Sequence, residues 1–519
     1  MFTITRRQFC VGAGALGAYL FLRTPGRSWA SDRPALPIPA ELRPDSSGTI
    51  NLAAQMGRQS FLPGLVTQTY GFNAPFLGPA VRVPRGTTVT VHAANRLPEA
   101  ITFHWHGLII PGKADGGPYN VIPPGKSWTV QLPIDQPAAT LWFHPHLYPA
   151  TAELVIKGLA GLFIVDDEES DELGLPSRWG IDDIPLILQD RRFNPDASFF
   201  HRFNEIAVVA GYVGDMMLVN GAHQPVAKTA RGWLRFRILN GSNARNYRLA
   251  VSDNRSFYIV GSDGGLLAEP VELKELAIAV GERYEVVIDA RDGKPFDFLT
   301  LPVSQPIRRL PPFDRPLTVL SVRPDGADGN GQLPDTLVDL PAIPASLPPV
   351  SQGLVMQMFR DVEGRKLMTE SGLIAMAKAG TNDPAVVARV VDLITNGPRL
   401  PLKAQLNANG INSKSFCFTE KGFRVPIRTD MVWAVSEETD TMLHPVHIHG
   451  CQFRVVKLNG GEPPAHMVGW KDTVPIENGG HAEIYVRFPL AASDDAPYMA
   501  HCHNLEHEDS GMMTEFSVG

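Results

Sequence analysis

The residues best suited to chemistry in this sequence are histidines, which gather in four short clusters. Ten of the 15 histidines lie in these clusters. The clusters read His104-Trp105-His106-Gly107, His144-Pro145-His146, His444-Pro445-Val446-His447-Ile448-His449-Gly450 and His501-Cys502-His503 followed by His507. A single His-x-His step is typical of exposed or hydrogen-bonded histidines, but four such steps in one chain indicate metal binding.

The two-residue step has a geometric meaning if the clusters lie on strands. Residues i and i+2 of a strand point to the same face, so each step would direct two imidazoles into one site. Imidazole is a good copper ligand, and eight imidazoles suit three copper ions with room for dioxygen. The eight histidines of this predicted site are His104, His106, His144, His146, His447, His449, His501 and His503.

A second ligand set is predicted on the opposite face of the same strands. Cys502 lies between two of the eight histidines, and His444 precedes His447 by an odd number of residues. With His507 and Met512 they form a set of two imidazoles, one thiolate and a weak axial thioether, which is the blue-copper electron-transfer arrangement. Cys502 would therefore link an electron-accepting copper to the three-copper site, where four electrons reduce dioxygen to water.

Oxygen reduction to water consumes protons, and two carboxylates lie close to the histidine clusters in the sequence. Asp115 follows the first cluster, and Glu508 is adjacent to His507. Both are candidates for proton delivery. The alternative is that both are ordinary surface charges.

Composition indicates an all-β, multidomain protein. A chain of 519 residues predicts two to four domains. Its 45 prolines and 47 glycines, with recurrent short Val/Thr/Phe runs, are typical of strands joined by many turns. The formal net charge of -7 argues against a nucleic-acid partner.

The pattern along the chain predicts three β units. They span residues 31–170, 171–330 and 401–519. Residues 331–400 are predicted to be a linker with a helical insertion, since residues 356–380 have helical character.

The N-terminus has the features of an export signal. Arg6-Arg7 precedes an apolar run, and Ser28-Trp29-Ala30 resembles a cleavage site, so residues 1–30 are predicted to be a twin-arginine signal peptide. The apolar run is too short for a stable membrane span. The twin-arginine export machinery is then a partner and the periplasm the location, the alternative being an uncleaved anchor.

Two cysteines of the expected mature chain have no role in the predicted metal sites. Cys417 and Cys451 are either paired in an oxidising compartment or free thiols.

The motifs HWHG, HPH, HPVHIHG and HCHNLEHEDSGMM resemble the four copper-binding signatures of the multicopper oxidases, which include laccases and bacterial cuprous oxidases. The resemblance implies three cupredoxin-like Greek-key β-sandwich domains, to which the sequence pattern adds a short helical connecting segment, and a trinuclear site between the first and third domains. It implies four copper ions, with dioxygen as electron acceptor, and proton handling by Asp115 and Glu508. The implied ligands are His104 and His447 for type 2, His106, His144, His146, His449, His501 and His503 for the type 3 pair, and His444, Cys502, His507 and Met512 for type 1.

Among these oxidases, the sequence is most similar to periplasmic copper-efflux oxidases, which convert Cu(I) to Cu(II). Their substrate-copper site is built from Met and Asp, and the matching residues here are Met356, Asp361, Asp440 and Met442. Soft thioethers suit Cu(I), and a carboxylate adds charge attraction. The alternative for Met356 and Met358 is that they are core residues of a strand.

The long Met- and His-rich insertion of the best-known efflux oxidases is missing between residues 381 and 391. This absence leaves a second candidate, a laccase-like oxidase of phenols, bilirubin-type pigments or Mn(II). A third is a non-enzymatic role like that of the copper-free cell-division members of the family, which lose the ligands that this chain retains. A monomer is expected.

Overall fold

The computed structural model describes residues 33–438 and 442–519. The predicted signal peptide lies outside the described residues, as does Asp440 of the predicted Cu(I) site. Residues Ala35–Gly519 form one compact unit. Within the described residues, every helix is too short or insufficiently apolar to cross a membrane.

The first sandwich packs two four-stranded sheets around a core of alternating apolar residues. In the strand Thr87–Asn95, for example, Val89, Val91 and Ala93 are buried on one face, as the two-residue period of a strand requires. In spatial order, one sheet contains Glu41–Leu42, Ala80–Pro84, Gly161–Asp166 and Ala139–Phe143, and the other contains Thr67–Phe72, Thr49–Gln59, Thr87–Asn95 and Ser127–Ile134.

The second sandwich has its own hydrophobic core, in which Phe236, Val286 and Phe298 are buried. Its larger sheet runs in the order Ala222–His223, Met216–Val219, Asp183–Arg191, Trp233–Asn240, Arg283–Asp289, Phe257–Ser262 and Gly265–Leu273. Its smaller sheet runs in the order Val226–Lys228, Leu317–Arg323, Phe296–Thr300, Tyr247–Val251 and Glu275–Ile278.

The third sandwich contains the last two histidine clusters. One sheet runs in the order Asn409–Ile411, Val350–Met358, Met431–Glu437, His481–Val486 and Arg454–Leu458. The other runs in the order Phe423–Val425, Met513–Val518, Tyr498–Cys502, Leu443–Ile448 and Thr473–Glu477. The apolar faces of both sheets and of four α-helices meet in one core.

The prediction that helix begins near Met356 is wrong. Met356 lies in the strand Val350–Met358, which pairs in parallel with Met431–Glu437. Leu354, Met356 and Met358 alternate and are buried, and this period of two is a strand signal that outweighs local helix propensity. The helices that follow are Asp361–Glu370, Leu373–Ala379 and Pro384–Asn396.

The remaining helical elements are short connections between strands. The α-helices among them are Thr151–Ile156, Glu168–Glu172, Glu205–Ala210, Leu402–Gln405 and Leu505–Glu508, and the 3-10 helices are Gly112–Ala114, Pro306–Arg309 and Ala465–Met467. The all-β fold class with a helical connecting segment is therefore confirmed.

Candidate metal centre

Backbone pairing brings the histidine clusters together two by two. His104 and His144 exchange two backbone hydrogen bonds, with N···O distances of 2.9 and 3.1 Å. His447 and His501 are directly opposite each other on antiparallel strands of the third sandwich. Each pairing places two His-x-His steps side by side, so the eight predicted histidines line one space between the first and third sandwiches.

The eight imidazoles are buried and their ring nitrogens converge. The Nε2 atom of His501 lies 3.2 Å from that of His146 and 3.1 Å from that of His449. On the other side of the space, Nε2 of His503 lies 3.2 Å from Nδ1 of His106. Nitrogens at these separations, contributed by all four histidine clusters, form groups that could hold metal ions.

The electrostatics of the space favour neutral rings. Burial lowers the pKa of His144, His449 and His503 well below the usual value, and the neighbouring histidines lower it further. Neutral imidazoles have lone pairs available for a cation.

Several of these ring nitrogens also make no hydrogen bond with any described residue. In the part of the chain that the structure describes, the buried Nε2 atoms of His104, His144 and His447 have no hydrogen-bond partner. A buried polar atom without a partner costs about 1–3 kcal/mol. Metal ions would remove this cost, so the residues present fit a copper cluster.

The second ligand set lies on the opposite face of the strand Tyr498–Cys502, as the odd spacing predicts. The Sγ atom of Cys502 lies 3.5 Å from Nδ1 of His444 and 3.5 Å from Nδ1 of His507. All three residues are 0% exposed, and buried Met512 belongs to the same core. The three residues form a His₂Cys group, and the backbone of Met512 is hydrogen-bonded to Cys502 and His507 at 3.1 and 2.9 Å, so this donor set fits a blue copper ion.

The outer nitrogens of these two histidines contact groups that sequence reasoning did not identify. Nε2 of His507 donates a hydrogen bond to the carbonyl oxygen of Val209, 3.1 Å away. This contact leaves Nδ1 directed at Cys502. Nε2 of His444 lies 3.8 Å from a carboxylate oxygen of Glu437, which is buried in the strand Met431–Glu437.

Both predicted proton-handling carboxylates lie inside the protein, so the surface-charge alternative is wrong. Asp115 Oδ2 lies 2.8 Å from Nδ1 of His449 and 3.4 Å from Nδ1 of His104. Glu508 spans two other histidines, with oxygens 3.3 Å from Nδ1 of His146 and 3.2 Å from Nδ1 of His501. Each carboxylate therefore contacts the outer nitrogens of two predicted ligands.

The residues predicted to bind substrate Cu(I) lie at different depths. Met356 and Met442 are buried in the hydrophobic core that contains Cys502 and Met512. The core-strand alternative for Met356 thus describes its position correctly. Asp361 begins the helix Asp361–Glu370 and forms an ion pair with Arg365.

Cys417 and Cys451 are both free thiols, Cys417 exposed and Cys451 buried. Burial raises the pKa of Cys451 well above its usual value, which disfavours its thiolate form.

Three models of the multicopper oxidase family match the chain, at residues 53–170, 200–310 and 393–519. The multicopper oxidase mco of Staphylococcus haemolyticus is 33% identical, over 93% of this chain and 91% of that protein. The cell division protein FtsP of Xenorhabdus nematophila is 32% identical, over 99% of each chain. This chain therefore belongs to the multicopper oxidase family.

Solved structures agree with this assignment. The laccase-like multicopper oxidase CueO of Ochrobactrum sp. is 36% identical with a TM-score of 0.79, over 93% of this chain and 100% of that one. A laccase of Pediococcus acidilactici is 32% identical with a TM-score of 0.77, over 96% and 95% of the two chains. The three predicted cupredoxin-like domains are thus confirmed, and membership implies copper cofactors, dioxygen and a reductant.

Proposed function

We propose that this protein oxidises Cu(I) to Cu(II) and couples that oxidation to the reduction of dioxygen to water. The observation that supports it most is the placement of two buried ligand sets on opposite faces of residues 501–503. Bound copper ions would accept electrons singly and deliver four of them to dioxygen. The chain would hold these ions rigidly, since the ligands are buried and their outer nitrogens contact carboxylates or carbonyl oxygens.

The proposed ligand assignment follows the two sets. His444, Cys502, His507 and Met512 would hold a type 1 copper. His104 and His447 would hold a type 2 copper, and the other six histidines would hold a type 3 pair. In support of the pair, His146, His449 and His501 form one convergent group, and His106 contacts His503.

Cu(I) is favoured as substrate by two methionines in the core of the third sandwich. Met356 and Met442 bring two thioethers into the core that contains Cys502. A backbone hydrogen bond joins the strand that contains Met356 to the chain that leads to Met442. In it, the Glu438 amide donates to the Met356 carbonyl oxygen at 3.1 Å. Thioethers select Cu(I), and Asp361 and Asp440 would add negative charge.

A laccase-like activity is the second candidate, and a specific relative favours it. The similar Ochrobactrum protein has oxidase activity towards lignin model compounds and lignosulfonate. Against a bulky substrate here, His444 and His507 are fully buried. The side chain of Val209, whose carbonyl contacts His507, packs against Gly364 of the helix Asp361–Glu370. A small metal ion meets less obstruction than a phenol in such a setting.

The similarity to FtsP raises a third candidate, a role in cell division. All twelve predicted copper ligands are present in this sequence and all of them are buried, which supports an oxidase. We further propose that the chain is exported to the periplasm through the twin-arginine route and acts as a monomer.

The direct test is oxygen uptake by the purified, copper-loaded protein with Cu(I) and with a bulky phenol as alternative reductants. We expect four copper ions per chain, a blue colour and faster turnover of Cu(I). Faster phenol turnover would favour the laccase candidate. A protein that binds no copper and consumes no oxygen would favour the FtsP-like role.

Glu508→Gln should slow oxygen reduction about 100-fold or more while copper content stays at four per chain. The amide keeps the shape of the side chain beside His146 and His501 but cannot hand on a proton, and such transfers contribute about 10²–10⁴-fold. The measurement is steady-state turnover at limiting oxygen, with copper analysis on the same sample.

Glu506→Gln is the matched control for that substitution. Glu506 is equally buried on the same short helix, but it accepts from Asn243 and from the Tyr212 amide. We expect this variant to keep its oxygen-reduction rate. Equal rates for Glu508→Gln and the parent would contradict a proton-handling role.

A further inference from the structure

A buried ion pair links the second sandwich to the histidine cluster. Arg283, the first residue of the strand Arg283–Asp289, directs both terminal nitrogens at Asp472, with Nη1···Oδ1 at 2.8 Å and Nη2···Oδ2 at 2.6 Å. Both residues are 0% exposed. Such a two-point contact fixes the plane of the carboxylate as well as its position.

Asp472 in turn contacts one histidine of the first sandwich and one of the third. Its Oδ1 atom lies 3.1 Å from Nε2 of His106, and its backbone oxygen lies 2.9 Å from Nδ1 of His447. Each contact occupies one ring nitrogen and leaves the other directed at the cluster. For His106 the remaining nitrogen is Nδ1, which faces Nε2 of His503 at 3.2 Å.

Asp472 lies close enough to His106 and His447 to be considered a metal ligand itself. Its contacts argue against that role, since both oxygens already accept hydrogen bonds. Oδ1 accepts from Arg283 and from Thr473 Oγ1 at 3.0 Å, and Oδ2 accepts from Arg283 and from Gln452 Nε2 at 3.0 Å. A guanidinium in this position also repels a second cation, so Asp472 is placed to orient histidines.

Gly107, the residue after His106, packs closely against the ion pair of Arg283 and Asp472. A Cβ atom at Gly107 would lie 2.7 Å from Asp472 Oδ2 and 2.8 Å from Arg283 Nη2, nearer than real Cβ atoms come. Gln452 links Gly107 to the ion pair, because its Nε2 donates both to the Gly107 carbonyl oxygen and to Asp472 Oδ2, each at 3.0 Å. The loop that contains His106 is therefore packed directly against the ion pair.

We propose that Arg283 is a positioning residue for the trinuclear copper site. It holds Asp472, and Asp472 orients His106 and His447 so that their free nitrogens face the metal ions. This inference rests on the proposed function, in which these histidines bind copper. It assigns the second sandwich, which supplies none of the twelve predicted ligands, a part in building the site.

Arg283→Lys tests the proposal in the full-length, copper-loaded protein. Lysine keeps the charge but cannot make the two-point contact. Loss of such an outer contact typically weakens metal binding about 10- to 100-fold. We expect the blue copper to remain while the non-blue copper falls in occupancy under chelator competition, with an altered electron paramagnetic resonance spectrum.

The matched control is Arg237→Lys. Arg237 is also buried in the second sandwich, where it contacts Asp183 at 2.8 Å, Thr140 and Glu285. Its replacement should lower the melting temperature without a selective loss of non-blue copper. Equal occupancy and an unchanged spectrum in Arg283→Lys, or the same loss of both copper types in both variants, would overturn the proposal.

Failure of the proposed function, and failure of the variant to fold, can both be told apart from failure of the inference about Arg283. Non-blue copper missing from the parent protein would count against the proposed function itself. Should Arg283→Lys not fold, Gln452→Leu removes a single donor to Asp472 and decides the question with the same readouts. Selective loss of non-blue copper in that variant supports the proposal, and full occupancy with the parent spectrum overturns it.

Discussion

Cys502→Ser should bleach the protein and abolish turnover, while the histidine cluster still takes up copper. The intense blue colour expected of this protein requires charge transfer from a cysteine thiolate, and Cys502 is the thiol held between His444 and His507. Serine keeps the volume but supplies no thiolate. Loss of the Cys502 thiolate also removes the covalent path from the type 1 site to His501 and His503. The measurements are visible absorbance, copper content and oxygen uptake.

Cys417→Ser is the control for thiol number. Cys417 is exposed and contacts Thr419, away from both ligand sets, so its replacement should leave colour and activity unchanged. We expect three copper ions per chain in Cys502→Ser and four in Cys417→Ser. A Cys502→Ser protein that stays blue would refute the type 1 assignment.

The double variant Met356→Leu, Met442→Leu should lower the rate constant for Cu(I) oxidation about 10- to 100-fold, with little change for a small one-electron organic reductant. Leucine conserves volume and apolar character in this core, so stability changes little. The lost thioethers are soft ligands that would hold Cu(I) close to the type 1 site. Each tenfold corresponds to about 1.4 kcal/mol of transition-state stabilisation.

Met467→Leu controls for loss of a buried thioether from the same core. Met467 lies in the short helix Ala465–Met467 and is not one of the residues proposed to bind Cu(I), so we expect both activities to persist. Asp440→Ala, added to the double variant, should reduce Cu(I) oxidation further by removing a charge. Equal losses with both reductants would show that the methionines support the fold around His444, and the laccase candidate would then be preferred.

The ligand sets were predictable from sequence because their geometry is local. The two-residue period of an extended chain directs His501 and His503 to one side and Cys502 to the other, whatever the rest of the fold does. The odd spacing also puts His444 on the side of Cys502, and His507 completes a blue-copper donor set by its residue type and spacing. The structure brings these three together. The alternation of residues 354–358 supports the strand alternative for Met356 and Met358, whereas the helical character of the following residues favoured a helix from residue 356.

The surroundings of the ligands were decided only by tertiary structure. Arg283 and Asp472 are separated by 189 residues, and Asp472 and His106 by 366, so no sequence pattern links them. Asp115 and Glu508 were ambiguous for the same reason, since a carboxylate in a sequence has no burial until sheets pack around it. Period and spacing thus determined which side chains share a face, whereas packing of three sandwiches decided which charges contact the outer nitrogens.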